Sequence, residues 1–241
     1  MTTKKLLAGV VSLLALMLAG CDNGASTNSN DSTDTELTAA IAELEAAIAD
    51  AELQLQKLES MEELENIEGI YGYYVDRSKH DLLTDLFAED ASLEILGRGL
   101  FIGQDRIRAY MHNLGPVGPQ EGKLFSHMQF QPITHLSEDG QTANMRSRLF
   151  VMFGIAGQDA QWGEGVYENI FTREDGIWKI KKLHAYQVYY TKYNDGWANK
   201  ASGIFAVFAR FPPDYPPTVD YDPYPGAHVP PFHYKNPVTG G

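Results

Sequence analysis

Ile67–Met111 reads IEGIYGYYVDRSKHDLLTDLFAEDASLEILGRGLFIGQDRIRAYM, and this stretch decides the fold. Ile67, Ile70, Tyr71 and Tyr74 fall at helical spacing, so one face of a first helix is meant for burial. Asp76 follows where that helix nears its end. Leu82, Leu83, Leu86 and Phe87 form a second helical face. Ala91–Leu96 then predicts a strand, and Gly97-Arg98-Gly99 is a turn signal. Gly103-Gln104-Asp105 opens a third amphipathic helix through Ile107, Tyr110, Met111 and Leu114.

Downstream, a Gly/Pro loop at 115–122 leads into strands separated by turns at Glu138-Asp139-Gly140, Gly157-Gln158-Asp159 and Glu174-Asp175-Gly176. Lys123–Leu136 is the first long strand, and Pro132 within it demands a bulge or an edge position. Thr142–Ile155 alternates, with Met145, Ser147, Leu149, Val151, Phe153 and Ile155 on one face. Gln161–Thr172 places Tyr167, Asn169 and Phe171 together, with Gly163 and Gly165 leaving room on the same side. Ile177–Tyr190 ends the sheet.

The first helix carries Y-x(4)-D (Tyr71 to Asp76). D-L-L-x-x-L-F-A-x-D-A (Asp81 to Ala91), a strand and G-x-x-x-I-x-x-Y (Gly103 to Tyr110) follow. That order resembles the SnoaL-like families of the nuclear transport factor two-like superfamily. The resemblance continues to residue 190 and includes D-G-x-W-K-I at Asp175–Ile180. It implies an α+β fold over 61–195: a cone-shaped half-barrel, its curved antiparallel sheet wrapped on three helices around a deep cavity. It is specific for the fold and not for the reaction, since such folds host dehydratases, isomerases, lyases and plain binding modules.

The sequence carries no metal signature: its seven histidines include no H-x(3)-H pair, and there is a single cysteine. No Gly-rich phosphate loop or nucleophile elbow occurs either, so no cofactor is expected and acid/base work remains. The resemblance points to Asp76 and His127 as a pair hydrogen-bonded across the cavity. His127 would abstract a proton and Asp76 would fix its tautomer and stabilise the imidazolium. A helix-end aspartate and a half-buried strand histidine are the plainer alternatives. Relatives line the cavity at positions matching Leu93, Phe125, Ser147, Leu149, Tyr167, Leu183, Ala185 and Gln187. Tyr167 is the candidate acid or oxygen ligand, with Tyr71 and Tyr74 as rivals; core packing is the competing explanation for each. His135 is expected near a turn in solvent, His184 to point away from the cavity, and His80 and His112 to lie on the surface.

Residues 1–20 read as a secretory signal, with Lys4 and Lys5 ahead of an apolar run. Leu18-Ala19-Gly20-Cys21 matches a bacterial lipobox, which would make Cys21 a lipidation site and place the protein on the cell envelope. Asp22 resembles an inner-membrane retention signal, hence a periplasmic position. Residues 21–35 are Asn/Ser/Thr/Asp-rich and read as a tether. Loss of Lys4 and Lys5 would leave 17 basic against 32 acidic residues, a net charge of about −15 that disfavours nucleic acid.

In 36–60, Leu37, Ile41, Leu44, Ile48, Ala51, Leu55 and Leu58 form an a/d seam. A homo-oligomeric coiled coil (dimer or trimer), a helix folded back on its own domain and a spacer all fit. Residues 196–241 are rich in proline and aromatics; a strap around the domain, a subunit contact and a proline-motif ligand stay open. Gly203–Phe208 (GIFAVF) should be buried.

Three functions fit these features. One is a cofactor-independent lyase, dehydratase or isomerase acting on a small lipophilic, aromatic or polycyclic molecule. The others are a membrane-tethered binding protein for such a ligand and an assembly module.

Overall fold

The computed structural model describes residues 30–241, with side chains from Asp34 onward. The expected signal, Cys21 and most of the tether lie outside the described residues. The chain divides into two compact units at Glu52 and Leu53. No proline interrupts 30–76, and a single helix, α1 (Asn30–Asp76), spans it. The tether's last residues and the two helices expected at 36–60 and around 67–76 are therefore one element. In the first unit the seam residues Leu37, Ile41 and Leu44 are exposed. No described helix is long and apolar enough to cross a membrane.

In the second unit α1 meets the sheet with Leu64 and Tyr71 fully buried, while Ile70 lies 38% exposed, against its predicted burial. α2 is a single turn (His80–Thr84), because a turn at Asp85 and Leu86 leads directly into the strand that starts at Phe87. Of the expected second helical face only Leu83 is buried within it. Leu82 is exposed, and Phe87 opens β1 (Phe87–Ile95) instead. β2 (Leu100–Ile102), α3 (Gln104–Asn113), β3 (Lys123–Leu136), β4 (Thr142–Ile155), β5 (Ala160–Glu174) and β6 (Ile177–Lys192) complete the fold.

The six strands form one curved, unclosed sheet in the order β2-β1-β6-β5-β4-β3. All neighbours are antiparallel except β1 and β6, which run parallel, so the sheet is mixed rather than the all-antiparallel one expected. Pro132 sits in a register shift between Phe130 and Ile133 on the edge strand β3, where its missing N–H costs no ladder bond. Further shifts at Glu164/Gly165 and Ile170/Phe171 bend β5.

Beyond β6 the chain straps its own domain. Tyr215 bridges to Leu100, Thr218 donates from both its amide and its hydroxyl to Glu94, and the Tyr221 hydroxyl accepts the Gln187 amide. Phe232 ends over the Arg146 guanidinium, and His233 reaches both Glu168 and His135. His135 therefore meets the strap rather than solvent alone. His184 does face away from the cavity; it is buried beside Glu94 and stacked on Tyr186 at 3.9 Å between ring centroids. In GIFAVF only Phe205 and Phe208 turn inward; Ile204 and Val207 are exposed.

Candidate active site

Gly72 sets the site's geometry. A Cβ there would come within 2.9 Å of the His127 carbonyl oxygen and 3.1 Å of Gln129 Oε1, so α1 crosses β3 at a distance only glycine allows. One turn on, Asp76 is the last residue of α1. Its Oδ1 accepts the His127 backbone N–H at 2.6 Å, satisfying a donor that edge strand β3 presents away from β4.

Asp76 and His127 are thus brought together, but not by the imidazole hydrogen bond expected of them. Nδ1 of His127 lies 3.8 Å from Asp76 Oδ1, beyond hydrogen-bond length, and has no partner. The aspartate oxygen is already engaged by the amide. Burial, with a smaller contribution from the positive charge of Arg98, pushes the His127 imidazole down to about 3. It is neutral at any physiological pH. Burial raises the Asp76 carboxyl above its ordinary range, while the bond from His127 and the charge of Arg77 act the other way.

His127 faces a cavity of about 280 Å³ enclosed by α1–α3, the β1–β2 turn, β3–β6 and the strap. Tyr71, Phe125, Leu149 and Tyr167 line it as expected. Tyr71 and Tyr167 meet edge-on with centroids 6.3 Å apart, and their hydroxyls share a hydrogen bond. Desolvation holds both phenols well above their usual pKa, so they are neutral O–H groups able to donate to a substrate oxygen.

The other expected lining residues do not reach the cavity. Tyr74 packs against the core from the side. Leu93, Leu183 and Ala185 are core residues at 0–1% exposure, Leu93 standing opposite Leu183 in the β1–β6 ladder. Ser147 is tied to Glu68 of α1 by a buried hydrogen bond. Gln187 holds the strap, donating to the carbonyls of Ser202 and Gly203 at 3.3 and 3.1 Å.

Several lining residues went unread in the sequence. His80, expected on the surface, is 6% exposed, lines the cavity and lies 3.3 Å from the Gly115 carbonyl. Arg98 comes from the Gly97-Arg98-Gly99 turn. Both flanking glycines have positive φ, and a Cβ on either would collide with the strap at Ile204 or Pro213. Phe205 and Phe208, three residues apart, come from the strap, and Arg210 stands with them. The G-R-G triplet and the F-x-x-F spacing were the available signals. Among the described residues no cluster of His, Cys, Asp and Glu could hold a metal ion.

Comparisons agree with this architecture. A protein described as a candidate scytalone dehydratase, from Novosphingobium aromaticivorans, superposes with a TM-score of 0.53 at 18% identity, over 66% of this chain and 99% of that one. A type 2 hexachlorocyclohexane dehydrochlorinase, LinA, gives 0.51 at 20% identity over 58% of this chain and 92% of its own. The type 3 enzyme of Novosphingobium barchaimii gives 0.50 at 19% identity, with 58% and 93% covered. At these identities the likeness is one of fold. No curated protein matches in sequence. The model of the SnoaL-like domain matches residues 56–184, more than half of the chain, and the protein therefore belongs to the SnoaL-like domain family.

Proposed function

We propose that the chain is a cofactor-independent acid/base enzyme, a lyase, dehydratase or isomerase, acting on a small lipophilic molecule in this cavity. The observation that carries the reading is His127: a neutral imidazole lining the cavity, its Nδ1 buried, unpartnered and 3.8 Å from the Asp76 carboxylate. With Nδ1 on the Asp76 side, Nε2 is the nitrogen that takes a proton from a carbon next to a carbonyl or a leaving group. The C–H electron pair then forms the new double bond, and the leaving group departs or the carbonyl becomes an enolate. A Tyr71 or Tyr167 hydroxyl donates to the oxygen that gains charge. Burial weakens His127 as a base, and the developing negative charge together with Asp76 restores its basicity as the proton moves. The related folds described as a dehydratase and a dehydrochlorinase support this class of chemistry. The same reading keeps Cys21 as a lipid anchor to the envelope membrane and the exposed seam of α1 as a self-association surface.

The test incubates the full-length protein, His127→Ala and Asp76→Asn with lipophilic phenols, steroids and polyketide-like compounds, read by untargeted mass spectrometry. Turnover by the wild type that His127→Ala abolishes and Asp76→Asn reduces is expected. Turnover that survives both substitutions would sink the assignment. Retention of a compound, unconverted, by all three proteins would favour the second reading, a binding protein, which the apolar enclosure alone supports.

A further inference from the structure

The charge of the cavity is opposite to that of the chain. Acidic residues outnumber basic ones 32 to 19, yet the lining contains Arg98, Lys123 and Arg210 and no aspartate or glutamate. Lys123 and Arg210 sit at its margin. Lys123 Nζ is 5.8 Å from the Phe125 ring centre, and Arg210 donates to the Asn113 carbonyl at 2.8 Å. Arg98 reaches further in.

The Arg98 guanidinium stands over the rings of Phe205 and Phe208, at 4.6 and 4.7 Å from their centres. It donates to the Tyr110 hydroxyl at 3.2 Å, and its Nε is buried without a partner. Among the described residues no carboxylate forms an ion pair with it. A guanidinium cannot shed its proton, and a half-buried one normally sits opposite a carboxylate. Two aromatic rings and one phenol hold its plane but leave the charge uncompensated. The turn that carries it cannot swing out, because Gly97 and Gly99 lie directly under the strap.

We propose that Arg98 is an anion-binding subsite and that the cavity takes a small, flat, lipophilic carboxylate, its carboxylate on Arg98 and its ring among Phe125, Leu149 and the Tyr71–Tyr167 pair. The planar fork of the guanidinium matches two carboxylate oxygens. A volume of about 280 Å³, roughly that of nine liquid waters, suits one or two fused rings. The inference rests on the cavity of the proposed reaction being the ligand site, but not on proton abstraction.

The test measures binding of 2-naphthoate and its neutral counterpart 2-naphthamide by calorimetry to the full-length wild type, Arg98→Met, Arg98→Lys and His127→Ala. Wild type should prefer the carboxylate by about ten- to a hundredfold, the value of a charge-assisted hydrogen-bonded pair. Arg98→Met should lose that preference while still binding the amide, and Arg98→Lys should keep part of it. The preference should survive in His127→Ala, so it stands or falls separately from the catalytic assignment. Equal binding of the two compounds by wild type, no binding of either, or an unchanged preference in Arg98→Met overturns the proposal. Should Arg98→Met fail to fold, Arg98→Lys decides it: a preference equal to that of wild type rules out the forked contact.

Discussion

Replacing Glu68 by glutamine should change how stability depends on pH. Glu68 lies on α1, 5% exposed, and accepts a hydrogen bond from Ser147, itself 2% exposed. Burial raises its carboxyl from 4.5 to about 7; the bond from Ser147 acts against this, and the nearby charge of Glu65 adds to it. A carboxyl raised in the folded state favours folding while protonated. That stability is complete below the unfolded value of 4.5 and is lost as pH rises through about 7.

Each pH unit between the two values removes about 1.4 kcal/mol, so the whole effect is about 3 kcal/mol, most of it between about pH 5 and 8. Glutamine keeps the shape and cannot ionise. Burial also holds His127 and His184 down to about 3, which works in the other direction. Their contribution is present above about 6.5 and lost as pH falls towards 3, and it is the same in both proteins. Urea unfolding of wild type and Glu68→Gln at both pH values isolates the difference. Wild type should lose about 2–3 kcal/mol more than the variant on going from about pH 5 to 8, a midpoint difference on the order of 1 M. Parallel pH profiles would refute the buried, raised carboxyl.

Two more substitutions probe the scaffold. Gly72→Ala should cost about 1–3 kcal/mol in urea, because its methyl meets the β3 backbone at 2.9 Å. It should also expose the His127 amide to hydrogen exchange by lifting Asp76 away; protection equal to wild type would contradict this. Glu94→Ala removes the acceptor of two Thr218 bonds at 2.8 and 2.6 Å. Limited proteolysis should then cut the strap between 204 and 234 faster than in wild type, at a stability cost of about 1–3 kcal/mol; an unchanged cleavage rate would count against the strap being held there.

The fold was legible because its signals are local. The helical spacing through Tyr71, the glycine turns and the alternation from Met145 to Val151 each report on a few neighbouring residues. The parallel pairing of β1 with β6 has no such signature, since it joins Leu93 to Leu183 across most of the domain. The site was legible in part. Asp76 and His127 were named as partners, but residue type could not say that the aspartate would take the backbone amide instead of the ring. Ser147 alternates with true lining residues yet is drawn to Glu68, an acid on another element. Arg98 and Phe205 looked like turn and tail; what makes them lining residues is the strap closing over Gly97, which depends on contacts formed far along the chain.

The central claim is that His127 moves a proton on carbon. Its most direct measurement holds wild type and His127→Ala in D2O with the same compound panel plus aromatic carboxylates, then reads deuterium at carbon by mass spectrometry and NMR. Wild type should exchange deuterium into at least one compound or its product, at a rate that His127→Ala loses while still binding that compound. Exchange at equal rates in both proteins, or binding with no exchange in wild type, would contradict the account.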